Sequence, residues 1–172
     1  MLADSAFERW YDEHAQALFA FLLNLTRDED DTRDVLQEVF IKLARQPDLL
    51  RGVRDERAFL LRLAHNAAID QMRRRTTRDK YHEALGLDAE ILSPFAPADE
   101  PDEAAFRAEL SAALGELPPE QRAVVHLKLW ERLTFERIAE TLGIPLNTAA
   151  SRYRYGLDKL RARLRPIYEE IQ

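Results

Sequence analysis

The sequence predicts an all-α protein of two small helical domains joined by an extended acidic linker, and three observations carry that expectation. Gly is scarce, at 5 of 172 residues, while Ala, Leu, Glu and Arg dominate, a composition that favours helices over strands. Apolar residues recur at helical spacing through both ends of the chain. Between the two ends, Ser93-Pro94-Phe95-Ala96-Pro97-Ala98-Asp99-Glu100-Pro101 is Pro-rich and acidic and can bury little.

Residues 1–75 form the first unit. Phe7, Trp10, Tyr11, Ala15, Leu18, Phe19, Leu22 and Leu23 make one apolar stripe, and Val35, Leu36, Val39, Phe40 and Leu43 a second. A third runs through Phe59, Leu60, Leu63, Ala67 and Met72. The acidic run Asp28 to Asp31 is a helix-start signal ahead of the second stripe, and Gln46-Pro47-Asp48 ends it. Residues 76–105 are the linker. Residues 106–172 form the second unit, in which Pro118-Pro119 opens a helix bearing Val124, Val125, Leu127 and Leu129.

The formal charge of −6 is unevenly spread. Residues 1–75 hold 12 basic and 14 acidic side chains, 76–105 hold 2 and 8, and 106–172 hold 11 and 9. The linker thus supplies the whole deficit. Between 145 and 165 the charged residues are Arg152, Arg154, Lys159, Arg161, Arg163 and Arg165 against Asp158 alone, and local rather than net charge decides what a surface binds.

Several classes are disfavoured. The absence of Cys removes disulfides and thiolate metal sites, no apolar run approaches the roughly 20 residues that span a bilayer, and the first residues lack a signal-peptide pattern. The expectation is a cytoplasmic chain without membrane insertion. His14, His65, His82 and His126 lack metal-ligand spacing and read as surface or boundary residues, while Trp10 and Trp130 read as core aromatics. There is no Gly-rich phosphate loop, so neither a catalytic residue, a metal nor a cofactor is expected.

The most informative stretch runs from Leu133 to Arg152. Thr134 can cap a helix whose buried face is Ile138, Ala139 and Leu142, Gly143 supplies a left-handed corner, and Ile144 plugs it before a second helix begins after Pro145. That is the pattern of a helix-turn-helix. With Ala149, Tyr153, Leu157, Leu160 and Leu164 inward, Asn147, Thr148, Ser151, Arg154 and Tyr155 lie on the side where a recognition helix reads bases.

Leu117 to Leu164 resembles the C-terminal domain of extracytoplasmic-function sigma factors of the sigma-70 family, which reads the promoter −35 element. The resemblance implies −35 contacts from Asn147, Thr148, Ser151, Arg152, Arg154 and Tyr155. Asp34 to Leu43 is similar to the family helix that docks on the clamp helices of the polymerase β′ subunit. Spacing places Asp34, Gln37, Glu38 and Ile41 on one outer stripe of that helix. Arg57 to Arg75 resembles the segment that melts and reads the −10 element, implying base contacts from Arg62 and Asn66 and phosphate contacts from Arg73, Arg74 and Arg75. The implied partners are core RNA polymerase through β′ and β, promoter DNA, and an anti-sigma factor. The linker would thread the active-site cleft and RNA exit channel. Glu56 and Phe59 depart from the residues common in the family near the −10 element, and Ala150 departs from the basic residue common on the −35 helix, so Ser151, Arg154 and Tyr155 stand out as the −35 readers. A stand-alone helix-turn-helix regulator is the alternative class, and it leaves residues 1–75 unexplained.

Overall fold

In a computed structural model, which describes residues 2–79 and 101–170, every described element is helical. Helix α1 spans Leu2–Thr26, α2 Glu29–Arg45, and a 3-10 turn Pro47–Leu50 leads to α3, Glu56–Asp79. Helices α4 (Pro101–Glu116), α5 (Pro119–Leu129), α6 (Phe135–Leu142) and α7 (Leu146–Glu170) make the second half.

The expected punctuation sets these boundaries. Arg27, in the left-handed region at φ 61°, ends α1 by donating its N–H to the Leu23 carbonyl at 2.9 Å. Asp28 caps α2, its side chain accepting from Asp31 N at 2.9 Å, and Glu29, Asp30 and Asp31 favour the positive end of the helix dipole. Pro119 occupies the first turn of α5, where a missing N–H leaves no bond unmade. Described helices reach into both ends of the 76–105 stretch expected to be extended. Helix α3 continues to Asp79, and α4 starts at Pro101 with Asp102 and Glu103 in its first turn, a favourable opening that composition had masked. Residues 80–100, including His82, lie outside the described residues.

Helices α1, α2 and α3 form one bundle, and α4, α5 and α6 gather around α7. The stripes hold with corrections: the fully buried positions of α3 are Leu60, Leu61, Ala64 and Ala68, flanked by half-buried Phe59, Leu63, Ala67 and Met72. Tyr11, expected inside, is 50 % exposed. Gly156 is buried where α7 crosses α5. A Cβ there would stand 2.9 Å from Val125 Cγ2, so only glycine permits this separation. Gly156→Ala therefore spreads the two helices, and we expect a net loss of about 1–3 kcal/mol in urea unfolding despite the better helix propensity of Ala.

The two halves share a core. Trp10, Phe21, Leu22, Val35 and Leu60 belong to the same buried cluster as Ala123, Val124, Leu127, Ile138 and Ala149. Where α1 meets α5, Asn24 Nδ2 lies 3.1 Å from His126 Nδ1, and the imidazole stands edge-on to Phe21 with centroids 5.3 Å apart. His126 is thus a core residue at 4 % exposure rather than a boundary one, and His14 is buried too. Trp10 is buried as expected, while Trp130 is half-buried against His126. Nearby, Arg27 Nη2 donates to the Ser111 carbonyl at 2.8 Å and Oγ at 3.1 Å.

Desolvation, aided by the nearby Arg57 charge, lowers the His126 pKa to about 3. The unfolded chain, with histidine near 6.5, binds the extra proton first. Stability is complete above about pH 6.5 and falls as pH drops from there toward about 3. Denaturant unfolding should show a loss of about 2 kcal/mol between pH 7 and pH 5 that His126→Gln removes.

Candidate functional site

The α6–α7 hairpin is held rigidly before any ligand arrives. Thr134 caps α6, its hydroxyl accepting from Arg137 N at 3.2 Å, and Gly143 turns the chain at φ 66°. Ile144 N then donates to the Ala139 carbonyl at 3.0 Å. Ile138, Ala139 and Ala149 are buried in the corner, and Phe135 meets Tyr153 edge-on at 5.4 Å. This fixes the angle at which α7 presents its outer face.

On that face Asn147, Arg154 and Tyr155 are exposed, and Thr148 and Ser151 are half-buried. The Ser151 hydroxyl donates to the Asn147 carbonyl at 2.8 Å, so its oxygen offers lone pairs outward. The Arg154 guanidinium stacks 5.2 Å from the Tyr155 ring centre, which restrains a flexible fork. Asn147, Ala150, Ser151 and Arg154 line a groove of about 530 Å³ floored by Phe135 and Leu157. Arg152, expected beside them, is half-buried, and its charge helps burial lower the pKa of His65 on α3. It therefore lies toward the first half rather than with the outward set.

On α3, Arg62 and Asn66 are both exposed, about one helical turn apart. The helix begins at Asp55, whose carboxylate accepts from Ala58 N at 3.0 Å, and this bond is the main cause holding the Asp55 pKa below its ordinary value. Arg73 and Arg74 are exposed near the far end. Arg75 is different. It pairs with Asp31 and lies 3.9 Å from Asp28, so it ties α3 to the acidic start of α2. Of the three arginines expected to contact phosphates, Arg75 is thus engaged in an ion pair with α2.

On α2, Asp34, Gln37, Glu38 and Ile41 are all exposed and share one groove with Lys42 and Arg45. Ile41 also borders a second, apolar groove of about 520 Å³ lined by Phe7, Tyr11, Phe19, Leu36 and Phe40. Sequence reasoning missed this neighbour because it placed Tyr11 inside. Its ring packs on Phe40 at 5.1 Å while its other face stays open. A stripe on α1 wider than one bundle contact could cover was the available signal.

Folding also brings together a cluster that spacing did not reveal: His14 Nε2 stands 3.8 Å from Glu13 and 3.7 Å from Glu56. Arg9 reaches the same carboxylates at 3.2 Å and 3.1 Å, and its bond to Glu56 is the main cause of the lowered Glu56 pKa. The guanidinium supplies the positive charge there, so the residues do not fit a metal ion.

The description "Sigma-70 region 2" matches residues 10–78, and "Sigma-70, region 4" matches residues 113–162. The chain is 32% identical to the ECF RNA polymerase sigma factor SigL of Mycobacterium tuberculosis over 159 residues, covering 91% of this chain and 88% of that one. It is 28% identical to SigX of Bacillus subtilis, covering 98% and 88%. Its fold is like that of the sigma factor RpoE in complex with the anti-sigma factor NepR from Bartonella quintana, at a TM-score of 0.75 and 22% identity over 93% of this chain and 97% of that one. A second likeness is to CnrH in complex with the cytosolic domain of CnrY, with a TM-score of 0.65 and 24% identity over 95% and 90%.

Proposed function

Because the chain belongs to the sigma-70 family, in its extracytoplasmic-function group, and is a transcription initiation factor rather than an enzyme, we propose that it binds core RNA polymerase and directs both promoter recognition and DNA melting. The observation that carries this reading is the exposure of three separate chemical faces on rigid helices: an acidic face with Ile41 on α2, a polar face on α3, and a base-reading face on α7. In this reading residues 2–79 act as region 2, residues 101–170 as region 4, and the acidic residues between them run through the polymerase cleft. The protein works in the cytoplasm, nucleoid-associated when in holoenzyme, and an anti-sigma factor is a further partner. No helix among the described residues is long and apolar enough to cross a membrane.

Each face has the chemistry its role needs. Asp34, Gln37, Glu38 and Ile41 offer two charges, an amide and an apolar centre to the β′ clamp helices, with the Tyr11 groove extending the apolar contact. Arg62 and Asn66 offer hydrogen bonds to the edge of a base already out of the duplex, and Arg73 and Arg74 offer charge to its backbone. Asn147, Thr148, Ser151, Arg154 and Tyr155 suit the major groove of intact duplex, where a bidentate arginine on guanine is the commonest specific contact.

Run-off transcription with core polymerase on a genomic library tests the function and reads out the promoter together. Asp34→Lys with Glu38→Lys should abolish competition for core polymerase while leaving stability within about 0.5 kcal/mol, since both sites are exposed. Unchanged core affinity would reject the docking face. The two DNA contacts should fail differently. Asn66→Ala should leave closed complexes nearly intact and lower open complexes, with part of the loss recovered on a template carrying a pre-melted −10 bubble. Arg154→Ala should weaken initial binding by about 1–3 kcal/mol, and the bubble should not restore it. Permanganate footprinting on matched duplex and bubble templates measures both.

A further inference from the structure

Arginines are matched with carboxylates at one contact between the halves and left unmatched at another. At the seam where α3 meets the second half, Asp55, which caps α3, pairs with Arg137 of α6, and Arg57 pairs with Glu131, Nη2 to Oε1 at 2.9 Å. Each guanidinium there has its own carboxylate. The junction of α1, α4 and α5 holds two further arginines, Arg27 and Arg122, and no carboxylate among the described residues forms an ion pair with either.

Arg122 stands on α5, one turn before His126, and is only 5 % exposed. Its Nε is buried without a hydrogen-bond partner. Arg27 follows the last residue of α1 and reaches α4, where its Nη2 donates to the Ser111 carbonyl and hydroxyl. A Cβ on Gly115 would stand 3.2 Å from that nitrogen, so the glycine leaves the guanidinium its place against α4. The other terminal nitrogen, Nη1, is buried and has no partner. Burial lowers both arginine pKa values, that of Arg122 to about 10, and the charge of Arg27 is the second cause at Arg122. Both groups therefore stay charged at neutral pH and repel each other, and the exposed Glu120 offsets only part of that repulsion.

The helix ends at this junction do not balance the two charges. The carboxyl ends of α1 and α4 lie here, and each is equivalent to about half a negative charge, against two full positive ones. A buried charge without a counter-charge is among the most unfavourable groups a fold can hold. Two planar guanidiniums with unused N–H groups are, in turn, the donor set that suits an oxyanion, whose several oxygens accept directed hydrogen bonds. A phosphoryl group fits best, since its charge of about −1.5 to −2 at pH 7 cancels most of the excess. The cover over Arg122 favours a small anion over a nucleic-acid backbone, and α1, α4 and α5 carry none of the residues assigned to the reading of DNA.

We propose that Arg27 and Arg122 form a binding site for a small phosphate-class oxyanion at the junction of α1, α4 and α5, filled by the free ion or by the terminal phosphoryl group of a nucleotide. The site is separate from the three faces assigned to polymerase and promoter, so it stands or falls independently of them. Isothermal titration of the full-length chain with inorganic phosphate, in chloride buffer of constant ionic strength, should show saturable binding of one anion per chain. Arg122→Gln and Arg27→Gln should each weaken that binding by about tenfold or more, the loss expected for a charge-assisted hydrogen bond. Thermal unfolding adds a readout that a merely structural arginine would not give. Without phosphate, Arg122→Gln removes an unbalanced buried charge and should melt no lower than the wild type. With saturating phosphate, the wild type should gain several degrees and the variant should not. Titration with a nucleoside triphosphate distinguishes the sources: tighter binding than phosphate assigns the site to a nucleotide, and weaker binding assigns it to the free ion. Wild-type protein that binds neither phosphate nor the triphosphate overturns the site. So does an affinity unchanged in both variants, or an Arg122→Gln variant that melts lower than the wild type by the same margin in both buffers. Should Arg122→Gln fail to fold by circular dichroism, the wild-type titration and Arg27→Gln decide.

Discussion

The packing of α1 against α5 is the contact on which the remaining geometry depends. Phe21 is fully buried there, Asn24 and His126 satisfy one polar group each, and Arg27 extends from a left-handed turn to grip Ser111. Burying a large apolar side chain is worth about 1.5–3 kcal/mol, more than a typical hydrogen bond returns on balance. Apolar area therefore supplies the attraction, and the Asn24–His126 bond selects the register, because any other alignment would leave a buried amide and a buried ring nitrogen unpaired. Once this register is set, α6 must rest against α3, and Arg137 and Glu131 meet their partners.

Charge plays three distinct parts in the molecule. Along α2 the acidic run at the N-terminus stabilises the helix, captures Arg75 and Gln71 from α3, and continues as an exposed stripe through Asp34 and Glu38. At the seam, opposite charges are matched across the two halves with partial exclusion of water, where pairing matters more than it does on an open surface. Along α7 the basic residues are partly restrained: Arg163 pairs with Glu109 and Glu116, while Arg154 stacks on Tyr155. The same residue type thus serves structure at one position and offers recognition chemistry a few residues away, and only the neighbours distinguish them.

The helices and their ends were readable in the sequence. Asp28, Pro119, Thr134 and Gly143 stand where caps and corners require them, and the apolar spacing of α2 places Val35, Val39 and Leu43 inside. These are local determinants, set by hydrogen bonds within four residues and by helical periodicity, so a linear reading suffices. The hairpin's outward face followed from the same periodicity, as did the exposure of Asp34, Gln37, Glu38 and Ile41. A resemblance to sigma factors could be carried on these motifs because their order along the chain is itself linear information.

What required the tertiary structure is everything decided by residues far apart in sequence. Nothing local marks His126 as a core residue, Arg75 as a structural tie, Arg152 as facing the first half, or Tyr11 as half open. Each depends on which helix arrives beside it. Asn24 and His126 are 102 positions apart, and Arg57 and Glu131 are 74 apart. The sequence by itself determined the starts of α2, α5 and α6, the apolar stripes and a recognition hairpin, because those follow from short-range sterics and hydrogen bonding. The choice to close the two halves on each other was made only in three dimensions, where apolar burial across the seam and the matching of distant charges set one arrangement below its alternatives.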